Sequence, residues 1–156
     1  MFENSSDNSA VNDLIKVTID SADGYRKAAE AAENNAFKAI FLQRAAERDG
    51  IVEDMQGFVR AQGETAEDDG SIAAGLHRIF LDLRDVVSGR DDKAIIAEVE
   101  RGEDYIKAKY EKAQADADLS ADVRELIRHA YIKVKAGHDQ MRDLKHGMQS
   151  TTGTLD

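Results

Sequence analysis

Glu103 stands at a position where a helix is expected to place an apolar side chain. From 94 to 113, apolar residues recur at alternating steps of three and four, as on the buried face of a helix. The apolar members of that face are Ile96, Val99, Ile106, Tyr110 and Ala113. The carboxylate between them is predicted to point inward. There it must bind a metal ion or pair with a cation, because an isolated buried charge is very costly.

Metal binding in helical bundles follows a recognisable pattern of ligands. Bundles that hold two iron ions take one Glu from each of two helices and a Glu-x-x-His pair from each of the other two. Carboxylates suit hard cations, and imidazoles complete the coordination. The candidate metal ligands in this chain are Glu30, Glu33, Glu47, Glu103 and His138.

This ligand set lacks both Glu-x-x-His pairs. Gly50 stands three positions after Glu47, and Lys135 stands three positions before His138. Arg44 is also predicted at the level of Glu47, near the middle of the bundle. A cation at that level repels a metal ion and attracts a carboxylate. An intact di-iron centre is therefore not expected.

The interpretation that fits these residues best is a buried ion pair. We expect Glu103 to pair with Arg44 as the first candidate or with Lys135 as the second, since buried charges persist when they are paired. The alternative is a mononuclear site for iron or another divalent metal, formed by Glu103, His138 and one further carboxylate. The candidates for that further carboxylate are Glu30, Glu33 and Glu47.

Five helical segments can be read from the periodicity of apolar residues. They cover about 10–33, 36–62, 71–87, 91–115 and 121–147. Asn34 and Ser120 are suited to cap the second and fifth segments. The ends, 1–9 and 148–156, are polar and without period, so we expect disordered tails. No window alternates with period two, so we predict no sheet.

The lengths of the connections predict how these helices assemble. Short turns join the first two segments and the last two, so each pair should form an antiparallel hairpin. A long connection with the short segment 71–87 lies between the pairs, and His77 on that segment is expected to pack or cap at its edge. One long crossover between two hairpins is the ferritin-like arrangement. We therefore predict a single all-α domain over 10–147, a ferritin-like four-helix bundle.

Composition limits the classes of function. The chain has 156 residues with no cysteine and no proline, so long helices are favoured, and disulfides and thiolate chemistry are excluded. Its net charge of −10 argues against binding to nucleic acid or anionic membranes. The N-terminal residues have neither a basic region nor an apolar run. We expect a cytoplasmic protein without a signal peptide or membrane span.

Four stretches resemble a family of small bacterial proteins. They are "DGYRKAAE" at 23–30, "GSIAAGLHRIFLDLRD" at 70–85, "ERGED" at 100–104 and "VKAGHDQMRDL" at 134–144. Together they resemble a proteobacterial domain-of-unknown-function family of ferritin-like four-helix bundles. The resemblance implies that fold and a loose association with stress responses, and it carries over no catalytic residue. Where relatives read "ERA" on the second helix, this chain has Gln43, which removes another possible carboxylate ligand.

These observations favour a non-enzymatic, stress-associated protein without a cofactor that acts through its helical surfaces. We expect a homodimer, because the small residues from Gly70 to Gly75 would allow close packing of the short helix against a second copy. Binding of another protein through the acidic surface is a further possibility. The rival hypothesis is a ferritin-like protein that binds iron through Glu103 and His138.

Overall fold

The computed structural model of the chain describes residues 2–70 and 92–154, with side chains described over 6–70 and 92–147. These residues form four helices: α1 (Phe2–Ala31), α2 (Asn35–Ala61), α3 (Asp92–Gln114) and α4 (Ala121–Thr154). No strand occurs in the described ranges, so the prediction of an all-α protein is confirmed for them. The short helix predicted at 71–87, together with His77, lies outside the described residues.

The two predicted caps are present. The side-chain oxygen of Asn34 accepts hydrogen bonds from the backbone N–H groups of Ala36 (2.8 Å) and Phe37 (3.2 Å), which begins α2. The hydroxyl of Ser120 accepts from the N–H of Val123 at 3.3 Å and begins α4. Polar side chains thus satisfy helix N–H groups that have no partner within the helix.

The direction of each helix follows from the side chains that meet. Arg48 of α2 donates a hydrogen bond to Ser21 of α1, and Lys38 at the start of α2 donates to the carbonyl of Ala29 near the end of α1. The two helices are therefore antiparallel. Tyr131 of α4 donates to Glu111 of α3, and Lys145 of α4 donates to Glu100 of α3. This pair of helices is therefore also antiparallel. Both predicted hairpins are present.

The two hairpins pack with α1 antiparallel to α3. The hydroxyl of Thr18, in the middle of α1, lies 2.7 Å from that of Tyr110, near the end of α3. The end of α1 in turn contacts the start of α3. There the Asp92 carboxylate accepts from the N–H groups of Glu33 (2.9 Å) and Asn34 (3.0 Å). The helix directions are therefore up, down, down and up, so the end of α2 and the start of α3 lie at opposite ends of the bundle.

Helix α1 begins earlier than its periodicity suggested. We expected a disordered tail over 1–9, whereas the helix starts at Phe2. Asp7 and Asn8 are buried, and the Asp7 carboxylate accepts from the N–H of Ser120 at 2.9 Å, at the turn between α3 and α4. This long-range contact explains why a polar, aperiodic segment is helical. At the other terminus α4 continues to Thr154, into the range expected to be a tail.

The core is formed by the apolar faces of all four helices. The periodicity of α1 predicts a core face from Val11 to Ala29, and that face is buried, as is that of α3 from Ile96 to Tyr110. In α2 the predicted face runs through Phe37, Ile40, Arg44, Glu47, Ile51, Met55 and Phe58, of which Ile51 and Met55 are buried. Its buried residues are Phe41, Ala45, Arg48, Ile51, Val52, Met55 and Val59. Arg44 and Glu47, predicted to face inward, are only partly buried. No helix in the described ranges is long and apolar enough to span a membrane.

Candidate functional site

A buried ion pair between Arg48 of α2 and Glu103 of α3 lies at the centre of the bundle. The two side chains are 0% and 2% exposed. Nη1 of Arg48 donates to Oε1 of Glu103 at 2.9 Å, and Nη2 donates to Oε2 at 2.7 Å. This is the bidentate geometry in which arginine binds a carboxylate most strongly. Both oxygens of Glu103 are thus used by one guanidinium.

Helices α1 and α4 complete the surroundings of this pair. Nη1 of Arg48 also donates to the Ser21 hydroxyl at 2.8 Å, and the guanidinium carbon lies 5.5 Å from the centre of the Tyr25 ring. On the α4 side the residue next to the pair is Gly137. A methyl group there would lie 2.5 Å from Nη2 of Arg48 and 3.1 Å from Oε2 of Glu103. The absence of a side chain at 137 makes room for the pair.

The electrostatics keep the guanidinium of Arg48 charged and the neighbouring phenol neutral. Burial lowers the pKa of Arg48, but the charge and hydrogen bonds of Glu103 raise it further, so its pKa stays above the usual value. Burial, followed by the negative charge of Glu103, raises the pKa of Tyr25 well above its usual value. The arginine is therefore a fixed cation, and it donates to Glu103 at any pH at which the bundle is folded.

A second polar contact lies farther along the same core. The Tyr110 hydroxyl donates to Thr18, because the Thr18 hydroxyl itself donates to the carbonyl of Leu14 at 2.6 Å. The sulfur of Met55 lies 3.9 Å from the same Tyr110 oxygen. Burial raises the pKa of Tyr110 to about 12. The phenol therefore acts as a neutral hydrogen-bond donor.

The partners that the sequence suggested for Glu103 are engaged elsewhere. Arg44 donates to Glu47 at 2.9 Å and to Gln140 at 2.8 Å, and the lysine at 135 pairs with Asp139 at 2.7 Å. Helix α2 turns a face one residue away from the predicted one toward the core. Arg44 therefore lies at the edge of the bundle, and Arg48 takes the central position.

The predicted metal ligands do not meet at one point. Glu30 and Glu33 are exposed near the end of α1, and Glu47 pairs with Arg44. Glu103 is bound by Arg48, whereas His138 contacts Asp104 and Asp139. These two candidates therefore have different partners.

His138 belongs to a second polar cluster, between α3 and α4. Its Nε2 lies 2.6 Å from Oδ1 of Asp104, and its Nδ1 lies 3.1 Å from Oδ1 of Asp139. Glu100, one turn before Asp104, accepts from the lysine at 145 at 2.9 Å. Glu100, Asp104 and His138 form the group of potential metal ligands found in the described ranges. Each offers a ligand atom, and these atoms lie within 4.8 Å of one another.

Three of the residues at these two sites were missed from the sequence. Arg48 was overlooked because a charged residue reads as solvent-facing, although it lies midway between Phe41 and Met55 at heptad spacing. Glu100 lies off the apolar face of α3 that contains Glu103. Glu100 and Asp104 are spaced i, i+4 on α3, and the antiparallel hairpin brings His138 opposite them. The i, i+4 spacing of two acidic residues on α3, opposite a histidine on α4, is the sequence pattern that could have identified this cluster.

The family comparison supports the resemblance to a domain-of-unknown-function family over three of the four sequence stretches. A family model described as "Domain of unknown function (DUF2383)" matches residues 8–116, which include most of α1 and all of α2 and α3, whereas the stretch at 134–144 lies outside the match. The comparison with curated proteins finds no match. The chain belongs to the DUF2383 family.

Proposed function

We propose that this protein is a ferritin-like helical bundle that acts without catalysis, through association with a second copy of itself. In this proposal the ion pair between Arg48 and Glu103 stands in place of a central metal site and serves to hold four helices together. Binding of a different protein by the same helical surfaces is the alternative. A cytoplasmic location is part of the same proposal, and a role in bacterial stress responses rests on the sequence resemblance.

The helix directions support the ferritin-like assignment. Two antiparallel hairpins are present, and the end of α2 and the start of α3 lie at opposite ends of the bundle. The second and third helices are consequently parallel to each other. A bundle with a single long crossover of this kind is typical of ferritin-like folds.

The observation that carries the non-catalytic assignment is the guanidinium at the bundle centre. A pair of iron ions there would need several inward carboxylates and two imidazoles. The described core instead has one buried carboxylate at that level, Glu103, and Arg48 uses both of its oxygens. The fixed positive charge of Arg48, in direct contact with Glu103, opposes the entry of a divalent cation. The central residues do not fit a dimetal site.

Two exposed apolar side chains support association through the helical surfaces. Leu42 on α2 and Ile132 on α4 are the large apolar side chains exposed in the described ranges, at 54% and 55%. The net charge of −10 favours a partner of opposite charge or an apolar contact over nucleic acid. Self-association through the apolar positions needs no further molecule, so we place it first.

The central claim can be tested by loading with iron. Tag-free protein would be incubated with Fe²⁺ without oxygen, desalted and analysed for iron by mass spectrometry, beside the double variant Arg48→Met/Glu103→Leu. The double variant removes both charges and so avoids an unpaired buried ion. We expect equal iron contents, because no iron is bound at the centre. Two equivalents per chain in the wild type that disappear in the double variant would contradict the proposal.

Self-association is tested by measuring the mass in solution over a range of concentrations. We expect a dimer that dissociates more readily in Leu42→Glu or Ile132→Glu. The matched control is Gln43→Glu, which adds the same charge at an exposed neighbouring position on α2. A monomer mass that does not change with concentration would contradict the dimer and leave binding of another protein as the alternative.

A further inference from the structure

We propose that Glu100, Asp104 and His138 form a mononuclear site for a first-row divalent transition-metal ion on the face shared by α3 and α4. The site lies outside the bundle centre and does not use Glu103. It is independent of the ion pair and of self-association.

The backbone presets the positions of the three ligands. Glu100 and Asp104 lie one turn apart on α3 and therefore share a helix face. His138 approaches this face from α4, and the three ligand atoms lie within 4.8 Å of one another. An ion bound at about 2.0–2.2 Å from each atom requires them to lie roughly 3–4 Å apart. A small opening between His138 and Asp104 is enough to admit it.

The contacts of His138 are the clearest indication of a bound cation. Both ring nitrogens face carboxylates: Nε2 faces Asp104 at 2.6 Å, and Nδ1 faces Asp139 at 3.1 Å. A neutral imidazole carries one N–H, so it can donate to only one of them. The other nitrogen then directs its lone pair at a carboxylate oxygen, and a metal ion placed between them would take both as ligands.

Asp139 would act as the outer partner of the metal-binding imidazole. A ligating histidine typically donates its second N–H to a carboxylate, which fixes the tautomer and directs the free nitrogen at the metal. Asp139 is itself held by Lys135 at 2.7 Å and approached by Arg142 at 3.6 Å. With Nδ1–H donated to Asp139, Nε2 is the nitrogen left for the ion, and it is the one that faces Asp104.

The charge and exposure of the cluster are compatible with an ion. The lysine at 145 donates to Oε2 of Glu100, and a carboxylate retains lone pairs for a second partner. The side chains of Glu100 and His138 are 15% and 13% exposed, whereas that of Asp104 is 58% exposed. Water can therefore reach the site from the Asp104 side and complete the coordination.

The ligand types define the class of ion. One imidazole and two carboxylates suit Zn²⁺, Mn²⁺ or Co²⁺, whereas Mg²⁺ and Ca²⁺ prefer sites made of oxygen alone. Zn²⁺ is the most direct probe, because it has no redox chemistry and accepts three protein ligands with water in an open position.

The test is calorimetric titration of tag-free protein with Zn²⁺, with Mg²⁺ as the comparison ion. We expect one Zn²⁺ per chain and no comparable binding of Mg²⁺. His138→Ala and Asp104→Asn should each weaken Zn²⁺ binding at least tenfold. Asp139→Asn should weaken it by about 10- to 100-fold, as removal of an outer partner typically does. Because Asp104 is largely exposed, its replacement leaves the fold intact.

The control variant is His129→Ala. His129 lies on the same helix and also contacts a carboxylate, Glu125, at 3.0 Å, but it belongs to no group of three ligands in the described ranges. Its removal should leave Zn²⁺ binding unchanged. If the wild type binds no Zn²⁺, or binds it equally well after His138→Ala and Asp104→Asn, the proposal is wrong.

Discussion

Glu103 and Asp104 are neighbours in the chain, yet they lie in opposite environments. Glu103 is 2% exposed and bound by an arginine with both of its oxygens, whereas the Asp104 side chain is 58% exposed and contacts a histidine. The difference arises because successive residues of a helix point about 100° apart. One step along α3 moves a carboxylate from the centre of the bundle to its surface.

The comparison shows which kinds of chemistry each position allows. Inside the bundle, the carboxylate must have a permanent partner, because an uncompensated buried charge is very costly. At the surface, water solvates Asp104, so its partner can be exchanged. The inner site therefore maintains structure, and the outer site is suited to reversible binding.

The largest effect should follow from removing one member of the inner pair. Arg48→Met leaves Glu103 buried without a cation, so the free energy of unfolding should fall by about 3–5 kcal/mol. Chemical denaturation followed by circular dichroism measures it. The control is Arg101→Met on α3, which removes an exposed arginine paired with Glu98 and should cost at most about 1 kcal/mol. Equal losses of unfolding free energy in the two variants would show that the buried pair of Arg48 contributes no more than the exposed pair of Arg101.

The sequence predicted part of the difference between the buried Glu103 and the exposed Asp104. It predicted that Glu103 is buried and ion-paired, because the apolar residues around it define the core face of α3. It did not identify Arg48, because α2 has apolar residues on both sides of its buried face and the predicted face was displaced by one residue. In such a helix, packing against the neighbouring helices determines the rotation, and periodicity alone does not.

The outer cluster was less accessible to sequence reasoning. His138 was a candidate from the start, but its partners depend on how α3 and α4 align across the hairpin. The early start of α1 was missed for a related reason, since its stabilising contact joins Asp7 to Ser120, far apart in sequence.

The space around the inner pair can be tested at Gly137. Gly137→Ala should lower the free energy of unfolding by about 1–3 kcal/mol, because the new methyl group would displace a guanidinium that is fixed by Glu103. The matched control is Gly50→Ala on α2, where nothing lies within 4 Å of the new methyl group. That variant should gain about 0.5–1 kcal/mol from helix propensity. A stabilising Gly137→Ala would mean that the pair is loosely held.

The polar contact of Tyr110 predicts a dependence on alkaline pH. Burial raises the pKa of Tyr110 to about 12, whereas an unfolded tyrosine titrates near 10. The folded state therefore holds its proton longer, and stability is complete below pH 10 and declines from there toward pH 12. Between pH 9 and 11 this one group should cost about 1.4 kcal/mol. Denaturation at both pH values should show a smaller decline in Tyr110→Phe, and an identical decline would exclude Tyr110 as its source.

The smallest effect is expected at Asp139 in the outer cluster. Its hydrogen bonds with Lys135 and then His138 lower its pKa to about 2. Its contribution to stability is present above about pH 4 and is lost as the pH falls toward 2. Because the first of these partners, Lys135, is 52% exposed, the loss should stay below about 1 kcal/mol. Asp139→Asn should lack this part of the acid dependence, and an unchanged acid profile would show that Asp139 makes no such contribution.

The most direct test of the account is a double-mutant cycle on the inner pair. The free energies of unfolding would be measured for the wild type, Arg48→Met, Glu103→Leu and the variant that carries both changes. We expect each single change to be strongly destabilising and the double variant to recover most of the loss, since two apolar side chains of similar size leave no buried charge. Additive losses in the double variant would show that Arg48 and Glu103 do not act as a pair and would contradict the account.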